Sequence, residues 1–161
     1  MTTLQTPTTS RPFPSCLDRV EELCAAFPEP LNLPLEGTAE LYSLGYSLYN
    51  AKEYGEASHL FRTLVALEPK QAKYWKGFAA CLQMQKQYEM AVACYLFIQF
   101  LEGELKDLHL YVHLADCYFA LKKIPEGLAC LEKAGSEASK KGEQSLVSHV
   151  KLMQTLWSNQ E

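Results

Sequence analysis

One hydrophobic pattern occurs three times along this chain, and it constrains the fold more than any other feature. Each copy has large apolar residues at its first and fourth positions, a small residue at its fifth, and later a second small residue four positions before a large one. The copies begin at Leu41, Trp75 and Tyr111, which are 34 and 36 residues apart. This spacing is typical of the tetratricopeptide repeat, a pair of antiparallel helices of about 34 residues. The two extra residues of the second interval fall near Gly103.

The small residues of the pattern have a physical role. They occupy the points where the two helices of a pair cross, and they let the backbones come close while large residues fill the surrounding space. From Thr38 onward the chain shows helix-period segments and no strand pattern of any strength. We therefore predict an all-α tetratricopeptide-repeat solenoid with helix pairs at 38–71, 72–105 and 108–141. The small residues are Gly45, Ala57, Ala79, Ala91, Ala115 and Gly127.

The segments that flank the repeats carry other signals. Residues 1–14 are rich in Thr and Pro and are predicted to be a flexible arm, whereas residues 15–27 place apolar residues at helical spacing behind a capping Ser15. Prolines end that N-terminal helix, so 28–37 is predicted to be an extended linker. Helical spacing returns in 142–161, which we predict to be a helix that caps the open edge of the last repeat, followed by a short tail.

Composition limits the classes of function. The chain has 161 residues, 48% of them hydrophobic, and a formal net charge of −4, which predicts one folded domain and argues against nucleic-acid binding. The most apolar stretch, 90–101, is too short to span a bilayer. The first residues lack the apolar core of a secretory signal. We expect a soluble cytoplasmic protein with no direct membrane association.

Six cysteines raise the question of disulfides or zinc, and the spacing of four of them favours neither. Cys81 and Cys117 are 36 residues apart, as are Cys94 and Cys130, so they occupy equivalent positions of the second and third repeats. Positions replicated along a solenoid do not converge on one metal ion. We interpret these cysteines as small packing residues.

The histidines also fall short of a metal site. His109 and His113 share a helix face, but Leu110 stands where a zinc protease motif has Glu, and no third ligand is evident. The sequence contains no nucleophile elbow, phosphate-binding loop or paired-carboxylate arrangement. The prediction is a binding protein, neither an enzyme nor a protein that requires a metal or cofactor.

Aromatic residues form a second stripe on the first helix of repeat 1. Tyr42, Tyr46 and Tyr49 are spaced by four and three residues and lie off the core stripe. In a tetratricopeptide stack that face lines the concave groove, where a tyrosine offers apolar area together with a hydroxyl group. We predict a wall for an extended peptide; the alternative is that the tyrosines pack against the next repeat or the N-terminal segment. The equivalent positions of the other repeats are Lys73, Lys76, Ala80, Gln83, His109, Val112, Asp116 and Phe119.

The second helix of repeat 2 is apolar nearly all round over 90–101. A helix with such a surface must be buried on more than one side. Burial between neighbouring repeats explains part of the pattern. We expect the remaining part to face a partner, a second subunit or the groove ligand.

Four stretches resemble the class II chaperones of bacterial type III secretion, small proteins that hold translocator subunits in the bacterial cytosol. The stretches are 39–57 (AELYSLGYSLYNAKEYGEA), 77–83 (GFAACLQ), 87–95 (QYEMAVACY) and 114–118 (LADCY). The predicted order of elements over 15–157 is also similar to that family, which has an N-terminal helix, three repeats and a C-terminal helix.

The resemblance implies a function and a set of site residues. Such chaperones bind an N-terminal segment of a hydrophobic translocator as an extended peptide in the concave groove and keep it soluble. Family groove positions fall on Tyr42, Tyr46 and Tyr49, and further ones on Leu67 and Tyr95. Family members commonly form homodimers through the N-terminal helix, whose apolar residues here are Leu17, Val20, Leu23, Cys24 and Phe27.

Departures from the family pattern leave alternatives open. The proline-rich 28–35 replaces the glycine-rich stretch that often precedes repeat 1, so the mode of dimerisation is undecided. Residues 30–34 (PLNLP) loosely resemble the motif that such grooves accept, which gives the hypothesis that the linker occupies the groove. The alternative function is a general tetratricopeptide adaptor or scaffold, although a carboxylate clamp needs Lys and Asn where Tyr42, Tyr46 and Tyr49 stand. Some family members also act with a transcription activator, which is kept as an alternative role.

Overall fold

The computed structural model describes residues 37–103 and 106–159, which form seven α-helices with no strand among them. The predicted all-α tetratricopeptide-repeat solenoid is confirmed for this part of the chain. In chain order the helices are α1 (Thr38–Asn50), α2 (Tyr54–Leu67), α3 (Ala72–Met84), α4 (Tyr88–Glu102), α5 (His109–Ala120), α6 (Ile124–Lys141) and α7 (Gln144–Ser158).

Each helix packs chiefly against the helices that precede and follow it in sequence. The pairs are α1 with α2, α3 with α4 and α5 with α6, and α7 packs on α6. The buried residues accordingly form one cluster that runs along the stack from Ala57 to Val150.

The predicted arm, N-terminal helix and linker lie outside the described residues up to position 36. The dimerisation residues predicted on that helix therefore stay a prediction. They are Leu17, Val20, Leu23, Cys24 and Phe27.

Glycines set how closely the helices approach. The ring of Phe61 on α2 is buried in a slot between α1 and α3. A Cβ atom at Gly45 would lie 3.2 Å from Phe61 Cζ, and one at Gly77 would overlap the same ring. Gly127 on α6 makes an equivalent space for the ring of Phe119 on α5. Gly45 and Gly127, two of the small positions of the repeat, thus leave room for an aromatic ring of a neighbouring helix.

The turn inside each pair uses the same left-handed geometry. Lys52, Lys86 and Lys122 have φ values of 65°, 60° and 61°, and each follows the first helix of its pair. In every case the next amide donates to a carbonyl five residues back, at 2.9 Å, and the lysine amide donates to a carbonyl three residues back. This is a Schellman closure. It makes the three turns structurally equivalent.

The apolar second helix of repeat 2 is largely explained by its neighbours. Most of the α4 side chains are buried or half-buried between α3 and α5, whereas Phe100 is 69% exposed. Leu44, expected in the core of repeat 1, is 51% exposed. Its helix is the first of the described stack and has a packed neighbour on one side only.

Four cysteines lie within the described residues, and all are free thiols. Cys81, Cys94 and Cys117 are buried, and Cys130 is half-buried. Burial raises the pKa of Cys81 to about 12 and that of Cys117 to about 12. These thiols therefore stay protonated at neutral pH, in agreement with a packing role.

The glycine slot at Phe61 can be tested by a single methyl group. Gly77→Ala should lower the free energy of unfolding by about 1–3 kcal/mol, because the added methyl group overlaps a ring that cannot move outward. Gly55→Ala on α2 is the matched control, since a Cβ there meets nothing within 4 Å. It should be neutral or stabilise the protein by up to about 1 kcal/mol through helix propensity. Urea unfolding followed by circular dichroism measures both; equal stabilities of the two variants would contradict the slot.

Candidate functional site

The first helix of each pair, namely α1, α3 and α5, carries all but two of the residues that were predicted to line a groove. Leu67 lies on α2 and Tyr95 on α4. On α1, Tyr42 and Tyr49 are half-buried, while Tyr46 points a mostly exposed ring away from the stack. The three tyrosines are therefore neither a core layer nor fully solvated. Tyr42, Tyr46 and Tyr49 form an apolar surface, here called the tyrosine wall, in which the ring of Tyr46 is mostly exposed.

Tyr42 is held by aromatic contacts and covered by a cation. Its ring lies edge-on to Phe61 at 5.9 Å and tilted against Tyr74 at 5.7 Å between centroids. The ammonium of Lys73 sits 5.4 Å from the centroid of Tyr42 and 5.0 Å from that of Tyr74. Such cation–π contacts fix the lysine beside the tyrosine wall. The alternative that the tyrosines pack against the next repeat thus holds in part, for Tyr42.

The middle of the site is built around Tyr95 on α4. Its hydroxyl donates a 2.9 Å hydrogen bond to the side-chain oxygen of Gln83 on α3. Its ring stacks on His113 of α5, with centroids 6.2 Å apart and planes 12° from parallel. Burial, together with nearby Cys117 and Tyr49, raises the pKa of Tyr95. The phenol therefore stays neutral. Through these two contacts Tyr95 links α4 to α3 and α5, and we call the group of Gln83, Tyr95 and His113 the polar point.

Tyr49 joins the tyrosine wall to this polar point. Its ring packs edge-on against Tyr54 at 5.3 Å. Burial and the nearby hydroxyl of Tyr54 and thiol of Cys81 raise its pKa. Tyr49 also lies close enough to the buried Tyr95 to contribute to the rise of its pKa, so repeats 1 and 2 meet in this region.

Charges at the far side of the site come from α5 and α7. Burial raises the pKa of Asp116, and the adjacent His113 and His149 oppose that rise. One face of His113 is covered by Tyr95, and this partial burial lowers its pKa. His113 was considered in the sequence only as a metal ligand; its place beside Tyr95 is a feature that the sequence analysis missed.

Four other predicted residues are half-buried or exposed. Lys76 pairs with Glu102 of α4 at 3.6 Å, and Ala80 and Leu67 are half-buried, so these three remain at the surface of the site. His109 is exposed at the start of α5.

Three predicted groove residues are buried in this structure, and the prediction is corrected for them. Tyr95, Val112 and Phe119 are 1%, 7% and 1% exposed. The ring of Phe119 stacks on Trp157 of α7, with centroids 4.2 Å apart and planes 14° from parallel. The C-terminal helix thus covers the position that would be open in a repeat without such a helix.

Other classes of site find no support in the described part of the chain. No group of three metal-binding side chains occurs among residues 37–103 and 106–159. A cavity of about 540 Å³ lies between the starts of α5 and α7, lined by His109, Glu143, Gln144, Ser145, Leu146 and His149. None of the helices in the described ranges is both long and apolar enough to cross a membrane.

Comparison with known proteins agrees with this architecture. The tetratricopeptide repeat family matches residues 38–71 and 72–99. The low calcium response locus protein H of Yersinia pestis is 26% identical over 87 residues, which are 54% of this chain and 51% of that protein. The alignment thus spans about half the length of this curated relative.

Solved structures extend the similarity. The translocator chaperone SycD of Yersinia enterocolitica, in complex with a peptide of the translocator YopD, superposes with a TM-score of 0.72 at 23% identity, covering 81% of this chain and 98% of that one. PcrH of Pseudomonas aeruginosa gives a TM-score of 0.69 at 23% identity, covering 79% and 96%. PcrH has also been solved with the chaperone binding region of PopD, with a TM-score of 0.72 at 22% identity over 80% and 96% of the two chains.

These matches describe the fold. Residues 38–99 match the tetratricopeptide repeat, and the described helix pairs stack into an all-α solenoid. The fold is similar to that of the translocator chaperones SycD and PcrH, and part of the sequence is similar to the low calcium response locus protein H.

The hydrogen bond at the centre of the site gives a testable contribution to stability. Tyr95→Phe removes the hydroxyl that donates to Gln83 and should lower the free energy of unfolding by about 0.5–1.5 kcal/mol. Tyr46→Phe is the control, because the exposed Tyr46 hydroxyl bonds to no other described residue. It should leave the unfolding midpoint unchanged in a urea titration. A Tyr95→Phe variant as stable as the control would show that the bond does not organise the site.

Proposed function

We propose that this protein is a chaperone that binds an extended, hydrophobic segment of a type III translocator in the groove lined by α1, α3 and α5. The observation that carries the proposal is the tyrosine wall of α1. Tyr46 exposes most of a large ring beside Tyr42 and Tyr49, whose rings are packed and cannot turn away. A fixed aromatic surface of this kind binds apolar side chains without a large loss of conformational entropy.

The chemistry of the groove suits a peptide. An extended segment has unpaired backbone amides and carbonyls as well as apolar side chains. The Gln83 amide and the exposed edge of His113 lie beside the tyrosine wall and can bond such backbone groups. Binding then covers an aggregation-prone segment stoichiometrically and uses no chemical step, in accord with a binding protein that is not an enzyme.

The relatives support this cargo class. SycD is solved with a peptide of the translocator YopD, and PcrH with the chaperone binding regions of PopD and PopB. We extend their role to this chain: it would keep its translocators soluble and competent for secretion in the bacterial cytosol. We also propose, from the family resemblance, a homodimer that uses the N-terminal helix of residues 15–27.

The general adaptor is the weaker alternative. A carboxylate clamp needs several free cations on the groove face. Here Lys76 is paired with Glu102, and Lys73 is held over two rings. A cargo with apolar anchors fits this surface better than a charged C-terminus.

A charge on the tyrosine wall tests the proposal. Tyr46→Glu should reduce the soluble yield of a co-expressed type III translocator from the same bacterium about tenfold or more, because a carboxylate cannot be buried against an apolar anchor. Since Tyr46 is exposed, the variant should keep the thermal unfolding midpoint of the wild type.

The matched control is Phe100→Glu, which places the same charge at an exposed aromatic residue on α4 instead of α1. This control should leave the translocator as soluble as the wild type does. Soluble translocator is measured after centrifugation by co-purification with the tagged chaperone. A Tyr46→Glu variant that solubilises the translocator as well as the wild type would refute the groove assignment.

A further inference from the structure

Four of the six large apolar residues that are exposed in the described part of the chain fall at two positions of the repeat register. Besides Leu44 and Phe100, the described residues include Tyr46 (57% exposed), Met84 (47%), Leu152 (58%) and Leu156 (56%). Tyr46 lies five positions after Leu41, the first residue of the repeat pattern, and Met84 lies nine positions after the equivalent Trp75. The two register positions are four residues apart, so they lie on the same face of a first helix. Leu152 and Leu156 lie on α7.

The burial pattern of α7 aligns this helix with the first helices of the repeats. On α5, Leu110, Tyr111 and Leu114 are buried; on α7, the residues 36 positions later, Leu146, Val147 and Val150, are buried too. Helix α7 therefore packs like the first helix of a fourth pair. In that register Val147 corresponds to Trp75, so Leu152 is equivalent to Tyr46 and Leu156 to Met84.

Independent contacts place the α7 face next to the groove face of α5. His149 of α7 lies close enough to Asp116 to oppose the rise of its pKa. The cavity of about 540 Å³ opens between the same two helices and includes His109 and His149. Trp157 of α7 lies flat on Phe119, so α7 replaces the surface that Phe119 would otherwise offer.

We propose that the groove continues onto α7, where Leu152 and Leu156 form a second apolar anchor site for the same extended segment that Tyr46 binds. This inference rests on the proposed function and specifies its cargo. The segment carries two apolar clusters, one for the tyrosine wall and one for α7, with a polar stretch between them. That stretch lies over Lys76, Gln83 and Asp116.

The spacing of the two clusters follows from the helix packing. Neighbouring helices pack about 10 Å apart, and three such steps separate α1 from α7 along the face of first helices. An extended chain advances about 3.3 Å per residue, so the clusters should be separated by about nine residues. A second copy of this protein is a poorer occupant, since two leucines on one helix offer far less than the roughly 800 Å² per partner of a stable interface.

The test starts from peptides selected on the full chain. A displayed library of random 18-residue segments is selected on the immobilised protein, and the enriched sequences are read. We expect two apolar clusters about nine residues apart. One enriched peptide and its two halves are then labelled with fluorescein, and their affinities are measured by anisotropy against the wild type and three variants.

The variants separate the two anchor sites. The double variant Leu152→Ser with Leu156→Ser should bind the whole peptide about tenfold more weakly and should leave unchanged the affinity of the half that depends on Tyr46. Tyr46→Ser should weaken both that half and the whole peptide. Phe100→Ser, which removes an exposed ring on α4 and not on α1, α3, α5 or α7, is the control and should bind like the wild type. All four residues are exposed, so the unfolding midpoints should agree.

The outcomes distinguish this inference from the proposed function. Peptides with a single apolar cluster, together with wild-type affinity of the α7 double variant and weakened binding by Tyr46→Ser, would overturn the second anchor site and leave the groove intact. No enrichment of apolar segments, or no effect of Tyr46→Ser, would overturn the groove and the second site with it.

Discussion

The structure depends on how closely an aromatic ring can approach a helix that has no side chain at the point of contact. Phe61 lies in a slot bounded by Gly45 on one helix and Gly77 on another, so a single ring fixes α2 against both α1 and α3. Phe119 and Gly127 repeat the arrangement between α5 and α6. Because interiors are close-packed, each contact sets the distance and the angle of a helix pair. The left-handed lysines then close each pair with the same turn, and the solenoid follows from repetition.

A stack held together by neighbours leaves one face of its first helices uncovered. In a protein with a central core, residues such as Tyr42, Tyr46 and Tyr49 would be enclosed by further elements. Here Tyr42 packs against Phe61 and Tyr74, Tyr49 packs against Tyr54, and the ring of Tyr46 is mostly exposed among the described residues. The contacts that build the core therefore also hold the groove rigid. A preformed surface loses little entropy when a partner binds.

Much of this was accessible from the sequence, because spacing alone dictates which residues meet when two helices cross. The helix pairs, the small residues and the packing cysteines all follow from the period. The errors have one physical source: equivalence by repeat assumes identical neighbours for every repeat. Phe119 is buried because Trp157 covers it, and Leu44 is 51% exposed although its repeat equivalents Phe78 and Leu114 are buried. The stacking of His113 on Tyr95 depends on a helix orientation that no spacing rule specifies.

The proposed pair of anchor sites on one groove would have a consequence for release. An extended segment bound at the tyrosine wall and at α7 holds each cluster by a modest apolar contact, while the second contact gains strength from the high effective concentration of a tethered chain. Such a segment would dissociate from one site at a time. Each dissociation step would then cost only part of the total binding free energy. Under this proposal the groove would cover a hydrophobic segment and would release it in steps. The polar point of Gln83, Tyr95 and His113 lies between the two sites, where it can hold the backbone while one cluster is already free.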